Sequence, residues 1–285
     1  MNVLFINPGN KEAIYQGLST TYSAIEPPTW ALLLAESCRS IGKKVSILDV
    51  NAENLSVEQS FERIKDINPK LICFVVYGQN VNAGTVSMSG AVALSNYIKK
   101  QNYNIPIAFV GSYVQALPKK ALFEEKSIDI IFTNEGVYAL RNLISQDHID
   151  VNNLDHIKGI AWRKNGFPTL NAPEMVVPQN RLDIDLPGYA WDLLPYKEKP
   201  LDLYRSPMWH AEYDYNKRTP YAAIQTSLGC RFGCDFCMIN IVNRNDNDEI
   251  GVASNYSSMR YWSPEFIINE SDKLVKMLIK SRIIC

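Results

Sequence analysis

The sequence lacks any apolar run near the roughly 18 residues that a membrane-crossing helix needs. It also lacks an excess of charge, since 29 Lys and Arg stand against 30 Asp and Glu, a formal net charge of -1. A nucleic acid or an anionic membrane chosen by bulk charge is therefore not an expected partner. No basic stretch precedes the opening Met1-Asn2-Val3-Leu4-Phe5-Ile6, which reads as a first buried strand rather than a signal peptide. These absences lead to the expectation of a cytoplasmic protein without a membrane span. In that compartment six cysteines do not suggest a disulfide framework. Three of them, Cys230, Cys234 and Cys237, fall within eight residues, which points to metal or cluster chemistry.

What is present first is alternation. Short apolar runs at Val3–Ile6, Val45–Val50, Leu71–Tyr77, Ile105–Val110 and Ile128–Phe132 read as strands. Helical spacing fills the segments Thr29 to Ile41, Val57 to Ile67, Met88 to Lys100, and from Gly136 to about Ser145. Strands alternating with helices predict an α/β fold, a doubly wound parallel sheet of Rossmann or flavodoxin type. Continuous apolar strands agree, because both faces of such a sheet are covered. Ligands of these sheets sit at the carboxyl ends of the strands. Small and polar residues stand there: Asn7-Pro8-Gly9, Gly78-Gln79-Asn80, Gly111-Ser112 and Asn134-Glu135-Gly136. Glycine there lets a backbone come close to a ligand. The same glycines serve equally as caps of strand-to-helix turns, and the pattern alone leaves both readings open.

Beyond residue 150 the pattern changes. Gly159 to Leu170 predicts a small hairpin around Asn165-Gly166. The stretch that follows is punctuated by Asp185-Leu186-Pro187, Leu194-Pro195 and Arg205-Ser206-Pro207, and is rich in aromatics from Tyr189 to Tyr215. So many aromatics suggest a connector packed against its neighbours rather than a free linker. The expected organisation is an α/β domain over 1–150, a hairpin and connector over 151–220, and a third unit over 221–285.

That third unit holds the densest chemistry. A strand expected over Tyr221 to Thr226 leads into Ser227-Leu228-Gly229-Cys230-Arg231-Phe232-Gly233-Cys234-Asp235-Phe236-Cys237. Three thiolates at this spacing can hold three irons of a cubane, leaving the fourth open to a small molecule. Structural zinc would want a fourth ligand, and Cys38, Cys73, Cys285 and His210 are all distant in sequence. A redox pair would need only two cysteines.

The spacing Cys-x3-Cys-x2-Cys, with Phe236 before the last cysteine, resembles the signature of the radical S-adenosylmethionine enzymes. That resemblance implies a 4Fe-4S cluster on Cys230, Cys234 and Cys237. It implies S-adenosylmethionine on the open iron, with Phe236 against its adenine region, and a 5′-deoxyadenosyl radical as the reactive species. The order of parts is similar to the cobalamin-binding branch of that superfamily. Ile25-Glu26-Pro27-Pro28-Thr29-Trp30, Phe109-Val110-Gly111-Ser112 and Asn134-Glu135-Gly136-Val137 resemble its loops. Ser112 replaces a usual second glycine, and Asn134 stands where glycine is common. The cobalamin contacts so implied are Asn7, Gly78, Gln79, Gly111, Ser112, Asn134, Glu135 and Gly136. No Asp-x-His-x-x-Gly pattern occurs, and the histidines are His148, His156 and His210. Cobalamin is thus expected without a protein histidine on cobalt.

The resemblance further implies a methyltransferase or carbon-skeleton-modifying enzyme. Its partners would be a small-molecule substrate and a reductant protein such as flavodoxin or ferredoxin. The alternative is a cobalamin- or nucleotide-binding α/β module whose cysteine loop is vestigial or holds zinc. The third unit reads as the beginning of a (β/α) partial barrel: one strand, the cluster loop and one helix, with Ser263 as N-cap and Pro264 at the first helical position. No Gly-Gly-Glu-like segment follows. The expectation is therefore an incomplete barrel, with an unpaired edge on 221–226 and an exposed apolar face at Phe266, Leu274 and Leu278. Asp246, Asp248 and Glu249 lie in a polar stretch that reads as a solvated loop. Anaerobic reconstitution should load about four irons per chain. Alanine at any of Cys230, Cys234 or Cys237 should remove most of the brown absorbance. Stoichiometric zinc in the purified protein, with iron retained by the triple alanine variant, would overturn the cluster assignment.

Overall fold

The computed structural model describes residues 2–9, 25–77, 87–195, 204, 222–230, 232 and 259–282. Strand β1 (Asn2–Asn7) is followed by helix α1 (Thr29–Ser40), β2 (Lys44–Asp49), α2 (Val50–Glu53), α3 (Val57–Ile67) and β3 (Leu71–Val76). Then come α4 (Met88–Lys100), β4 (Ile107–Gly111), α5 (Ser112–Ala116), α6 (Pro118–Glu124), β5 (Ile130–Phe132) and α7 (Val137–Ser145). A hairpin of β6 (Ile160–Lys164) and β7 (Phe167–Leu170) precedes the short helix α8 (Leu182–Asp185). The last elements are β8 (Ser227–Leu228), β9 (Arg260–Tyr261) and α9 (Pro264–Arg282).

Local chemistry explains the boundaries. Helix α3 opens with a capping box, in which Ser56 Oγ accepts from Gln59 N at 3.2 Å and Gln59 Oε1 accepts from Ser56 N at 2.9 Å. Helix α1 starts behind Pro27-Pro28, with Leu32 N donating to Pro28 O at 3.0 Å. The hairpin turns at Asn165 and Gly166, whose φ values are 52° and 85°, the paired positive values a type I′ turn requires. At α9, Ser263 Oγ accepts from Phe266 N at 3.1 Å, so Ser263 caps the helix as its sequence position suggests.

Seven strands form one sheet in the order β2-β1-β3-β4-β5-β6-β7. The first five are parallel, and β6 and β7 are antiparallel additions. Side chains alternate between two cores, as the period of a strand demands. Val3 and Phe5 of β1, Leu71, Cys73 and Val75 of β3, and Ala108 and Val110 of β4 face α1 and α7. Leu4 and Ile6, Ile72, Phe74 and Val76, and Ile107 and Phe109 face α3, α4 and α6. Both faces are therefore covered, and the sheet is doubly wound. Because β2 and β3 flank β1 on opposite sides, the topological switch falls between β1 and β3.

The hairpin is continuous with this sheet. Ile131 of β5 pairs with Ala161 of β6. The segment after it folds back over α1 and α7. Asp185, 3% exposed, accepts from Arg141 Nη1 at 2.7 Å, Tyr138 OH at 2.7 Å and Arg181 Nε at 2.9 Å. Arg141 also donates through Nε to Ser37 Oγ at 2.9 Å, so α1, α7 and α8 share one polar knot.

The C-terminal elements differ from the expectation in two ways. Residues 222–226 form no strand, and β8 is confined to Ser227–Leu228, paired antiparallel with β9. The cause is the aromatic connector: Tyr189 OH accepts from Gln225 N at 2.8 Å and donates to Gln225 O at 3.2 Å, taking backbone groups a strand would use. Phe266 and Leu274, expected on an open face, are 8% and 7% exposed. They join the core that includes Tyr189, Trp191 and Leu186, and Trp262 stacks on Phe266 at 5.4 Å. Glu270, 1% exposed, accepts from Trp191 Nε1 and Tyr189 N, both at 3.2 Å, and pins α9 to the connector. The side chain of Leu278 and residues Ile283 and Ile284 lie outside the described residues.

Asp185→Ala should destabilise the chain by about 3–5 kcal/mol, the usual cost of removing one partner from a buried ion pair. Burial opposes the charge of Asp185, but hydrogen bonds from Arg181, Tyr138 and Arg141 outweigh it and hold the carboxyl down at about 2. A depressed carboxyl stabilises the fold above its unfolded value of about 4 and loses that contribution as pH falls through its folded value. Urea midpoints of wild type and Asp185→Ala should therefore differ most above pH 5 and converge toward pH 2.

Candidate functional site at the strand ends

The carboxyl ends of β1 and β2 meet at a buried carboxylate. Asp49, 1% exposed, accepts from Asn7 Nδ2 at 2.7 Å and Ala52 N at 3.0 Å through Oδ1. Tyr204 OH donates to its other oxygen at 2.8 Å, so a residue of the connector lies on the ends of β1 and β2. Burial pushes the Asp49 carboxyl up to about 6, against the pull of these hydrogen bonds.

Across the switch, β3 is followed by Tyr77, which meets Trp30 edge-on with ring centroids 5.7 Å apart. Tyr77 OH accepts from Gln115 Nε2 at 2.7 Å, and Gln115 Nε2 also bonds Asn134 O. Burial raises the Tyr77 phenol above its ordinary value. Gly111 ends β4 at φ +155° beside Val76, and a Cβ there would stand 2.1 Å from Val76 O. The neighbouring strand demands this glycine. Its closeness to the β3 backbone is a packing demand that stands beside the ligand approach expected from sequence.

Ser112 follows and is fully buried, yet its Oγ has no hydrogen-bond partner among the described residues. Gln115 Oε1, on a residue equally buried, also has none. A hydroxyl and an amide oxygen without partners are costly to bury, which sets these two atoms apart from the other polar groups at the strand ends.

The turn after β5 is closed by its own side chains. Asn134 Oδ1 accepts from Gly136 N at 3.0 Å, and Asn134 Nδ2 donates to Glu174 O at 2.6 Å. Gly136 sits at φ +82°, where a Cβ would come 3.2 Å from Val110 Cγ2. Glu135 is committed to the protein. Its carboxylate accepts from Arg260 Nη1 at 3.1 Å and Nη2 at 3.0 Å, and from Val177 N at 2.5 Å. Its backbone oxygen accepts from Trp30 Nε1 at 3.2 Å. Arg260 Nη1 in turn donates to Val177 O at 2.6 Å.

Arg260 leads back to the cysteine loop. On β9 it stands opposite Leu228 of β8, two residues before Cys230. Gly229 adopts φ +94°, which lets the chain turn into the loop. Cys230 is half-buried, and Phe232 N donates to its Sγ at 3.5 Å.

Of the residues singled out from sequence, Asn7, Gly111, Ser112, Asn134, Glu135 and Gly136 gather at one edge of the sheet. Gly78, Gln79, Cys234, Phe236, Cys237 and the polar stretch with Asp246, Asp248 and Glu249 lie outside the described residues. His148 and His156 are exposed, and His210 is likewise outside. Sequence reading did not single out Gln115, Tyr204 or Arg260. Gln115 stands between Val114 and Ala116 and Arg260 between Met259 and Tyr261, polar groups among apolar or aromatic neighbours, the one signal that could have marked them; Tyr204 carries no such signal.

Residues 15–144 match the family model of the B12 binding domain. A protein of Pyrococcus horikoshii named as an uncharacterized methyltransferase is 27% identical over 238 residues, which are 83% of this chain and 45% of that protein. This chain thus spans less than half the length of that relative. Among solved structures it is similar to the cobalamin-dependent S-adenosylmethionine radical enzyme OxsB, described with aqua-cobalamin and S-adenosylmethionine bound. There the TM-score is 0.66 at 17% identity, covering 99% of this chain and 32% of that one. It is also similar to TsrM of Kitasatospora setae, a radical S-adenosylmethionine methyltransferase. That match has a TM-score of 0.58 at 16% identity and covers 96% of this chain and 45% of that one. Among the described residues, no helix is long and apolar enough to cross a membrane. The sheet is doubly wound with its switch between β1 and β3, its segment 15–144 matches the model of the B12 binding domain, and its fold is similar to that of the cobalamin-dependent S-adenosylmethionine radical enzyme OxsB.

Proposed function

We propose that the chain binds cobalamin over the carboxyl ends of β1, β3, β4 and β5. In this reading it also carries a 4Fe-4S cluster on Cys230, Cys234 and Cys237 with S-adenosylmethionine, as a methyltransferase or carbon-skeleton-modifying enzyme. The observation that carries the cobalamin reading is the buried, partnerless Ser112 hydroxyl at a strand end of the B12-matched segment. The residues present fit the cofactor. Amide side chains ring the periphery of cobalamin. An amide N–H can donate to Gln115 Oε1, and Ser112 Oγ can either donate or accept. When bound, cobalamin supplies methyl-group chemistry and the cluster with S-adenosylmethionine supplies radical chemistry; the protein positions both.

The chain's own residues shape the site. Tyr77 and Trp30 form an aromatic floor beside Gln115. The bond from Tyr204 to Asp49 keeps Tyr204 at the ends of β1 and β2. With His148 and His156 exposed, cobalamin without histidine on cobalt remains the form this reading expects. A small-molecule substrate and a reductant protein such as flavodoxin or ferredoxin complete the proposal.

Titration of the full chain with hydroxocobalamin should show saturable binding with a spectrum lacking histidine on cobalt. Ser112→Ala should weaken it about fivefold, as the loss of one hydrogen bond near 1 kcal/mol implies. The same change removes an unsatisfied buried hydroxyl, so the urea midpoint without cobalamin should stay level or rise. Absence of binding at high micromolar cobalamin would remove the cofactor and leave only the fold.

A further inference from the structure

The ion pair between Glu135 and Arg260 lies between two local structures. The turn after β5 is closed locally by Asn134, and β9 pairs with β8 over two residues. What the pair does is join the two across 125 residues of sequence. It is bidentate, its side chains are 2% and 6% exposed, and both partners also bond the backbone of Val177. A guanidinium fork on a carboxylate fixes angle as well as distance, which a single point contact would not.

On one side of the pair lies a continuous polar path to the partnerless atoms. Gln115 presents the free Oε1, and through Nε2 it bonds Asn134 O, next to Glu135 in the chain. Ser112 lies one helical turn away from Gln115 on α5. On the other side, Arg260 faces Leu228 across β8–β9, and Trp262 N donates to Thr226 O at 3.2 Å. The stretch so held ends at Cys230.

We infer that the Glu135–Arg260 pair is a positioning contact that transmits cofactor binding at the strand ends to the base of the cysteine loop. A ligand that engages Ser112 and Gln115 tightens the Asn134–Glu135 turn, and the buried fork passes that ordering to β8 and β9. By linkage, ordering of β8 must favour cofactor binding to the same extent. The inference rests on the strand ends being the cobalamin site proposed above.

The test is hydrogen exchange by mass spectrometry on the full chain, with and without hydroxocobalamin. In wild type, cobalamin should slow exchange in peptides covering 112–116 and 134–137, and should slow 222–230 by about tenfold. In Arg260→Gln the strand-end peptides should still respond while the response at 222–230 falls below about twofold. Arg260→Lys keeps the charge without the fork and should give an intermediate response; it serves alone if Arg260→Gln does not fold. A contact that is merely structural would raise exchange at 222–230 in both conditions and leave the cobalamin response unchanged. That result in Arg260→Gln, or in Arg260→Lys if it alone folds, overturns the inference while the cobalamin site stands, as does a wild type that responds at the strand ends but not at 222–230. A wild type that responds nowhere and binds no cobalamin overturns the proposed site, and the inference with it.

Discussion

Glu135 and Arg260 are charges removed from water, and each costs several kcal/mol to bury unless the other, with additional hydrogen bonds, compensates it. Their geometry supplies much of that compensation: two parallel bonds between them, with Val177 N–H donating to Glu135 and Val177 C=O accepting from Arg260. Neither residue could keep its place without the other. The turn after β5, the segment around Val177 and the short β8–β9 ladder are consequently tied to one point. A two-residue ladder has almost no stability of its own, so the cysteine loop inherits its footing from this pair and from the contacts of α9.

The strand ends obey a related constraint. Each polar side chain there had to be paired on burial, and nearly all are paired internally. Asn7 serves Asp49, Asn134 serves Gly136 and Glu174, and Tyr77 serves Gln115. The hydroxyl of Ser112 and the carbonyl of Gln115 are the exceptions among these residues, and they lie close together on α5. The asymmetry narrows a broad rim of candidate residues to a small polar focus.

The sheet was legible because β1, β3, β4 and β5 are mostly apolar runs and turn residues punctuate the chain between elements. The β-hairpin at Asn165-Gly166 and the cap at Ser263 were legible for the same local reason. The roles at the strand ends were less so. Local pattern left Gly111 open as room for a ligand or as a turn glycine, and a further demand on it, that its Cβ space is filled by Val76 of the adjacent strand, comes from a contact 35 residues away in sequence. The C-terminal face around Phe266 was read as bare because periodicity reveals an apolar stripe and not its cover. Tyr189, Trp191 and Leu186 provide that cover.

The sequence by itself determined the parallel α/β class, the element order and the spacing of the three cysteines, because each is written in local periodicity or in fixed offsets. Only the tertiary structure decided which polar residues at the strand ends are spent and which are free. It also decided that Glu135 faces Arg260, and that the aromatic connector takes the backbone groups of Gln225. These are pairings between distant segments. Hydrogen-bond satisfaction is settled only when the chain closes on itself, since any buried donor accepts whichever partner the fold brings within about 3 Å.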